Sequence, residues 1–137
     1  MKIPEGDIMM VYVNKKMLTI RLAHIDCPDI GQPFEKQATQ FTHSLAYKKK
    51  VTVEIESYAG EQYLIGRVFI ENKDVSMTLI EAGLAWYTKM HGADRYISKA
   101  FRKAKKKKIG IWSQDKPIPP WIYRQEKEKN KQRSETD

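Results

Sequence analysis

The stretch Arg21-Leu-Ala-His-Ile-Asp-Cys-Pro-Asp29 reads as the end of a strand running into an acidic turn. Leu18, Ile20 and Leu22 share one face, and Thr19, Arg21 and Ala23 share the other, so the chain is extended with Arg21 turned away from the main apolar row. Pro28 lacks an N–H and restricts the residue before it, which predicts that the strand stops near Asp26. One guanidinium, two carboxylates and a proline fall within nine residues. Such a segment can hold a cation and a phosphate side by side.

Working outward, residues 7–13 read as a preceding strand, and Asn14-Lys15-Lys16 as the polar turn of a hairpin. Downstream, Pro33 is suited to the first position of a helix on which Phe34, Ala38, Phe41 and Leu45 mark one face. Lys48-Lys49-Lys50 closes it. Val51, Val53 and Ile55 alternate with polar residues as a half-buried strand, Tyr58-Ala-Gly60 turns the chain, and Tyr63 to Glu71 returns as a strand containing Gly66 and Arg67. Asp74 is an N-cap for Val75 to Ala82, with Gly83 after its end. Leu84 to Tyr87 is extended. Asp94 caps a third helix, with Tyr96, Ile97, Ala100, Phe101 and Ala104 inward, and Ile111-Trp112 tucks back against the body. Residues 117–124 form an extended Pro/aromatic strap, and 125–137 a charged, disordered tail. Short strands with peripheral helices predict an α+β fold, mainly a β barrel of the OB type, over residues 1–124.

The chain has 137 residues and a formal net charge of +8. Residues 125–137 carry four bases and four acids, so the excess sits on the body. A basic body points to a polyanion, with nucleic acid the leading candidate. One cysteine excludes an internal disulfide and a cysteine-based zinc site. No run approaches a membrane span, and Met1-Lys-Ile-Pro-Glu lacks the apolar core of a signal peptide. The expectation is a cytoplasmic protein, or a secreted or periplasmic one if the N-terminus is processed.

The acidic candidates are Asp7, Asp26 and Asp29. Gly6-Asp7 lies at a strand start, where glycine lets the backbone turn, and Asp26 ends the next strand, so a hairpin can bring the two carboxylates to one cation. Oxygen ligands with few histidines favour Ca2+ or Mg2+ over zinc. Read on their own, both aspartates also suit ordinary turns. Arg21 and Arg67 offer forks that grip phosphate bidentately, or cover a sheet rim and pair with Glu54 or Glu56.

Gly6-Asp7, Arg21 to Asp29, Gly66-Arg67, Gly83-Leu-Ala85, Gly110-Ile-Trp112-Ser and Pro117-Ile-Pro-Pro-Trp121 together resemble the staphylococcal nuclease (thermonuclease) family, in order from about residue 6 to 124. The resemblance implies a five-stranded OB barrel with three helices and Ca2+-dependent cleavage of DNA and RNA. It implies Asp7, Asp26 and the backbone carbonyl of Cys27 as metal ligands, and Arg21 and Arg67 on the scissile phosphate. It implies Asp29 as the residue that activates water, and Tyr87 and Lys89 as substrate contacts. Asp29 stands where the family has glutamate, one methylene longer, which predicts reduced activity; Glu35 is the nearest other carboxylate in sequence. Ile65 stands in a tyrosine place. Only five residues precede Gly6, which predicts a truncated first strand and an unpaired sheet edge, or a chain that starts further upstream. The rival reading is a non-catalytic or weakly active nucleic-acid-binding OB module. The seven bases from Lys99 to Lys108 fit either reading as a source of affinity, or form a solvated helix face.

Overall fold

Strands β1 (Lys2–Glu5), β2 (Ile8–Val13) and β3 (Lys16–Leu22) open a computed structural model that describes residues 1–136. The β2–β3 turn is tight: Asn14 and Lys15 take φ of 50° and 67°, the left-handed pair that suits a two-residue hairpin. The truncated strand expected before Gly6 is short but present, with Lys2 opposite Met10 and Glu5 opposite Ile8. Strand β4 (Ile25–Asp26) follows, then helix α1 (Glu35–Ala46), the hairpin β5 (Thr52–Gly60) and β6 (Tyr63–Ile70), and β7 (Lys73–Asp74). Helix α2 (Val75–Glu81), β8 (Trp86–Tyr87), α3 (Arg95–Lys106), a 3-10 turn (Gly110–Ser113) and α4 (Pro120–Thr136) complete the chain.

The fold is α+β, but among the described residues the expected closed barrel is not formed. The main sheet runs β1-β2-β3-β6-β5 as an open path, with β7 on β6, and β4 pairs separately with β8. Among the described residues there are four α-helices rather than three. Parallel pairing of β3 with β6 sets Arg21 opposite Ile65 and Leu22 opposite Gly66. Met9, Ile20, Leu22, Val68, Leu79, Ile80 and Ile97 are fully buried between the sheet and helices α1 to α3.

Several local readings change for identifiable reasons. Helix α1 starts after Phe34, which takes φ 72°; the expected face of Phe34, Ala38, Phe41 and Leu45 packs against the core, with Ala38, Thr42 and Ala46 the residues fully buried. Small residues on that face let the helix sit close to the β1–β2 turn. A Cβ on Gly6 would lie 2.9 Å from the Ala38 Cβ, so Gly6 is there for close approach, not for turn conformation. In β5 the register shifts between Ile55 and Ser57, which breaks the alternation and leaves Ile55 exposed. Strand β5 also continues through the Tyr58–Gly60 segment expected to turn. Tyr96 points outward while Ile97 and Ala104 are buried. Both predicted N-caps form: Asp74 accepts from the N–H of Ser76 and Met77, and Asp94 from that of Ile97.

The C-terminal expectations differ most. Pro120 opens α4 inside the segment read as an extended strap, and the helix continues through the residues read as disordered. Proline suits a first helical turn, and Gln, Glu, Lys and Arg are good helix formers. Glu126–Lys129 and Glu128–Lys131 add pairs at spacing three. Asp137 lies outside the described residues. Among the described residues, no helix is long and apolar enough to cross a membrane.

Candidate active site

Four elements place the acidic residues. Asp7 sits in the turn between β1 and β2, and its carbonyl accepts from the Leu22 N–H at 2.8 Å. The Thr42 hydroxyl, buried on α1, donates to the Gly6 carbonyl at 2.6 Å. Asp26 is held by the β4–β8 pairing, opposite Trp86. The Cys27 N–H then donates to Asp7 Oδ2 at 2.9 Å, so the two acidic turns are tied together through the backbone.

These residues converge on one cavity of about 290 Å³ lined by Glu5, Asp7, Arg21, Asp26, Cys27, Asp29, Met90, His91 and Arg124. Of the expected site residues, the structure brings together Asp7, Arg21, Asp26, Cys27 and Asp29. Tyr87, Lys89 and Arg67 do not line it. Tyr87 is half-buried; its hydroxyl accepts from the Asp94 N–H at 2.9 Å and its ring lies 6.2 Å from that of Phe101. Lys89 is exposed, two residues before His91. Arg67 directs Nε to Glu56 at 3.2 Å, Nη1 to Asp74 at 3.4 Å and Nη2 to Asp94. The pairing with Glu56 is one the sequence allowed; Asp74 and Asp94 were legible only as caps. Glu35 opens α1 and is not among the cavity residues.

Glu5, His91 and Arg124 are cavity residues that the sequence did not single out. Arg124 makes the most direct contact: Nη2 donates to Asp26 Oδ2 at 2.7 Å and Nη1 to Oδ1 at 3.3 Å. Arg21 approaches the same carboxylate, Nη2 to Oδ1 at 3.5 Å. The Asp29 backbone is fixed by Gln32: the Asp29 N–H donates to Gln32 Oε1 at 2.8 Å, and Gln32 Nε2 donates to the Ile118 carbonyl at 2.9 Å.

The electrostatics follow from burial. Removal from water pushes the Asp7 carboxyl above its ordinary value, against the Cys27 N–H and the Arg21 charge. Burial, with Asp7 and Asp29 nearby, also raises Glu5. Burial lifts the Cys27 thiol well above its usual range, which disfavours the thiolate. Desolvation opposes the charge on Arg21, but Asp7 and Asp26 outweigh it and raise its pKa. The bond to Asp26 raises that of Arg124.

Among the described residues, no three His, Cys, Asp or Glu side chains are grouped closely enough to enclose a metal by themselves. The donor set nevertheless fits a hard divalent cation. Four carboxyl groups face two guanidiniums in the cavity, an excess of negative charge that such an ion offsets. Each carboxylate oxygen has two acceptor sites, so the bonds already made by Asp7 and Asp26 leave room for a cation, and Ca2+ accepts carbonyls and waters as its remaining ligands.

In the absence of a cation, Asp7→Asn is expected to stabilise the protein at pH 7 by roughly 1 kcal/mol, because the amide keeps the Cys27 bond and removes a buried charge. A carboxyl with a raised folded-state pKa costs stability as pH rises through that value. The advantage of the variant should therefore vanish as pH falls toward 3.8, the ordinary aspartate value. Thermal melts in chelator at neutral and acid pH check this; equal melting temperatures at both would show that Asp7 is not strained by burial.

The chain matches the model of the family described as "Staphylococcal nuclease homologue" over residues 19–114. It is similar to an "Uncharacterized endonuclease" of Escherichia coli, 30% identical over 127 residues, covering 92% of this chain and 83% of that protein. A "Micrococcal nuclease" of Shigella flexneri is 29% identical, with 90% of this chain and 77% of that protein covered. A staphylococcal-like nuclease of Arabidopsis thaliana is 28% identical, with 91% and 40% covered.

Proposed function

Because the chain belongs to the staphylococcal nuclease family, we propose that it is a Ca2+-dependent nuclease hydrolysing phosphodiester bonds of DNA, RNA or both with little sequence specificity. The observation that carries this reading is the convergence of Asp7, Asp26, Asp29 and Arg21 on one cavity. A module that only binds a polyanion gains nothing from carboxyl groups set where the phosphate enters, since each repels it.

In this reading the carboxylates of Asp7 and Asp26 and the Cys27 carbonyl hold the ion. Bound Ca2+ supplies a Lewis acid for a phosphate oxygen and a template for the substrate. Arg21 grips a phosphate oxygen through its fork and offsets the charge that grows in the transition state. Asp29 orients the attacking water and accepts its proton, for which it must come within about 2.6–3.2 Å of that water. Its reach is one methylene shorter than glutamate's, and the Gln32 bonds fix how near the turn carries it. Tyr87, at the end of β8, and the exposed Lys89 just after it act as substrate contacts. The exposed bases of α3, Lys99, Arg102 and Lys103 among them, add affinity through backbone phosphates without reading bases.

The test is incubation with a single-stranded oligonucleotide in Ca2+ and again after chelation. Shorter products in the first and none in the second are expected. Retention of the intact oligonucleotide with no chelator-sensitive cleavage would make the chain a binding module.

A further inference from the structure

Arg67 and Arg124 stand in contrasting situations. All three guanidinium nitrogens of Arg67 are engaged, on Glu56, Asp74 and Asp94, and none of these acceptors lines the acidic cavity. Three of its five N–H donors are thus taken, and a phosphate seeking that fork meets three carboxylates that repel it. Arg124 lines the cavity directly, and its side chain keeps 39% of its surface open. A guanidinium has five N–H donors, and the paired bonds to Asp26 use two of them.

The position of Arg124 is fixed, not incidental. It lies in the first turns of α4, one helical turn after Trp121. The Trp121 ring packs edge-on against Trp86 at 5.7 Å, and Trp86 is the strand partner of Asp26. Pro120 is fully buried, and the Ile118 carbonyl is bonded by Gln32. The start of the helix is therefore moored on both sides of Asp26. Arg21 and Arg124 flank one carboxylate, with contacts of 3.5 and 2.7 Å, and both line the same cavity.

We propose that Arg124 is a catalytic residue that binds phosphate, working beside Arg21 as the second fork of the site in the place that family resemblance gives to Arg67. The inference rests on the nuclease reading. Two guanidiniums fixed about one carboxylate present N–H groups to a tetrahedral phosphate from two directions, which is the geometry that stabilises an extra charge on its oxygens. The Asp26 bonds hold the Arg124 fork in place before substrate arrives, so little ordering is left to be done on binding.

Two measurements test it, one of which does not depend on turnover. Binding of an uncleavable phosphorothioate single strand in Ca2+ is expected to weaken about tenfold in Arg124→Ala, and Arg124→Lys should recover only part of it because lysine lacks the fork. In the cleavage assay, kcat of Arg124→Ala is expected to fall about a hundredfold while the Ca2+ concentration for half-maximal rate rises little or falls. Circular dichroism at the assay temperature establishes that the variant is folded. Unchanged phosphorothioate binding would overturn the proposal even if the wild-type chain cleaves nothing. Faster cleavage by the alanine variant would also overturn it, since Arg124 would then be a latch that withholds Asp26 from the ion. If wild type cleaves and the lysine variant matches it, a point charge suffices and the fork assignment fails.

Discussion

Replacement of Arg67 by alanine is expected to cost about 3 kcal/mol of stability and to lower the melting temperature by about 10 °C in a chain of this size. The reason lies in what Arg67 holds. Asp74 caps α2 and Asp94 caps α3, and one guanidinium on β6 binds both caps. Glu56, its third partner, is shared with His24, whose ring nitrogens contact Glu56 at 2.9 Å and the Gly92 carbonyl at 3.1 Å. The Asp74 and Asp94 side chains are only 14% and 12% exposed, so losing the arginine leaves two carboxylates poorly hydrated and unpaired. For Asp94, burial alone would raise the carboxyl pKa, but the Ile97 N–H and Arg67 outweigh it and hold it below its ordinary value. A depressed carboxyl stabilises the fold above its unfolded pKa and loses that contribution as pH falls through the folded one. The difference between wild type and variant should thus shrink in acid. Urea melts at pH 7 and near pH 3 check this, and a melting temperature within a degree of wild type at pH 7 would remove the clamp from the stability of the fold.

Asp26→Asn separates chemistry from folding. Cleavage is expected to fall by about a thousandfold, with stability nearly unchanged. The amide has the carboxylate's shape, and the strand pairing of Asp26 with Trp86 is through the backbone. Arg124 is open to water and can be rehydrated when its partner loses charge. What disappears is half of the carboxylate pair that would hold the cation and the anion that fixes both forks. The readout is cleavage rate together with a thermal melt. A variant that melts like wild type and cleaves like it would place the metal elsewhere. A variant that unfolds would show that Asp26 serves the fold through its arginines.

What the sequence disclosed was the local part. The β2–β3 hairpin was legible because its turn and its alternation lie within a dozen residues, and the caps Asp74 and Asp94 because a cap is a contact of two or three residues' range. Asp7, Arg21, Asp26 and Asp29 share one cavity because the same hairpin and its two turns carry them. The contacts that decide the use of each arginine were not legible. Arg124 meets Asp26 across 98 residues and Arg67 meets Asp94 across 27, and no spacing rule connects them. The charged C-terminal segment misled because its composition suits both a solvated coil and a helix, and the choice is made by the mooring of Pro120 and Trp121.

Glu5 from the first strand and Arg124 from the last helix meet in one cavity, and this has a consequence for how the protein comes into being. Contacts of such long range form late, since a chain must first close its local elements. During synthesis the N-terminal portion emerges well before the residues that complete the cavity. A growing chain can fold its hairpin while its acidic turns still lack Arg124. On the reading proposed above, the site is complete only once α4 has docked, so hydrolytic capacity follows the folding of that helix.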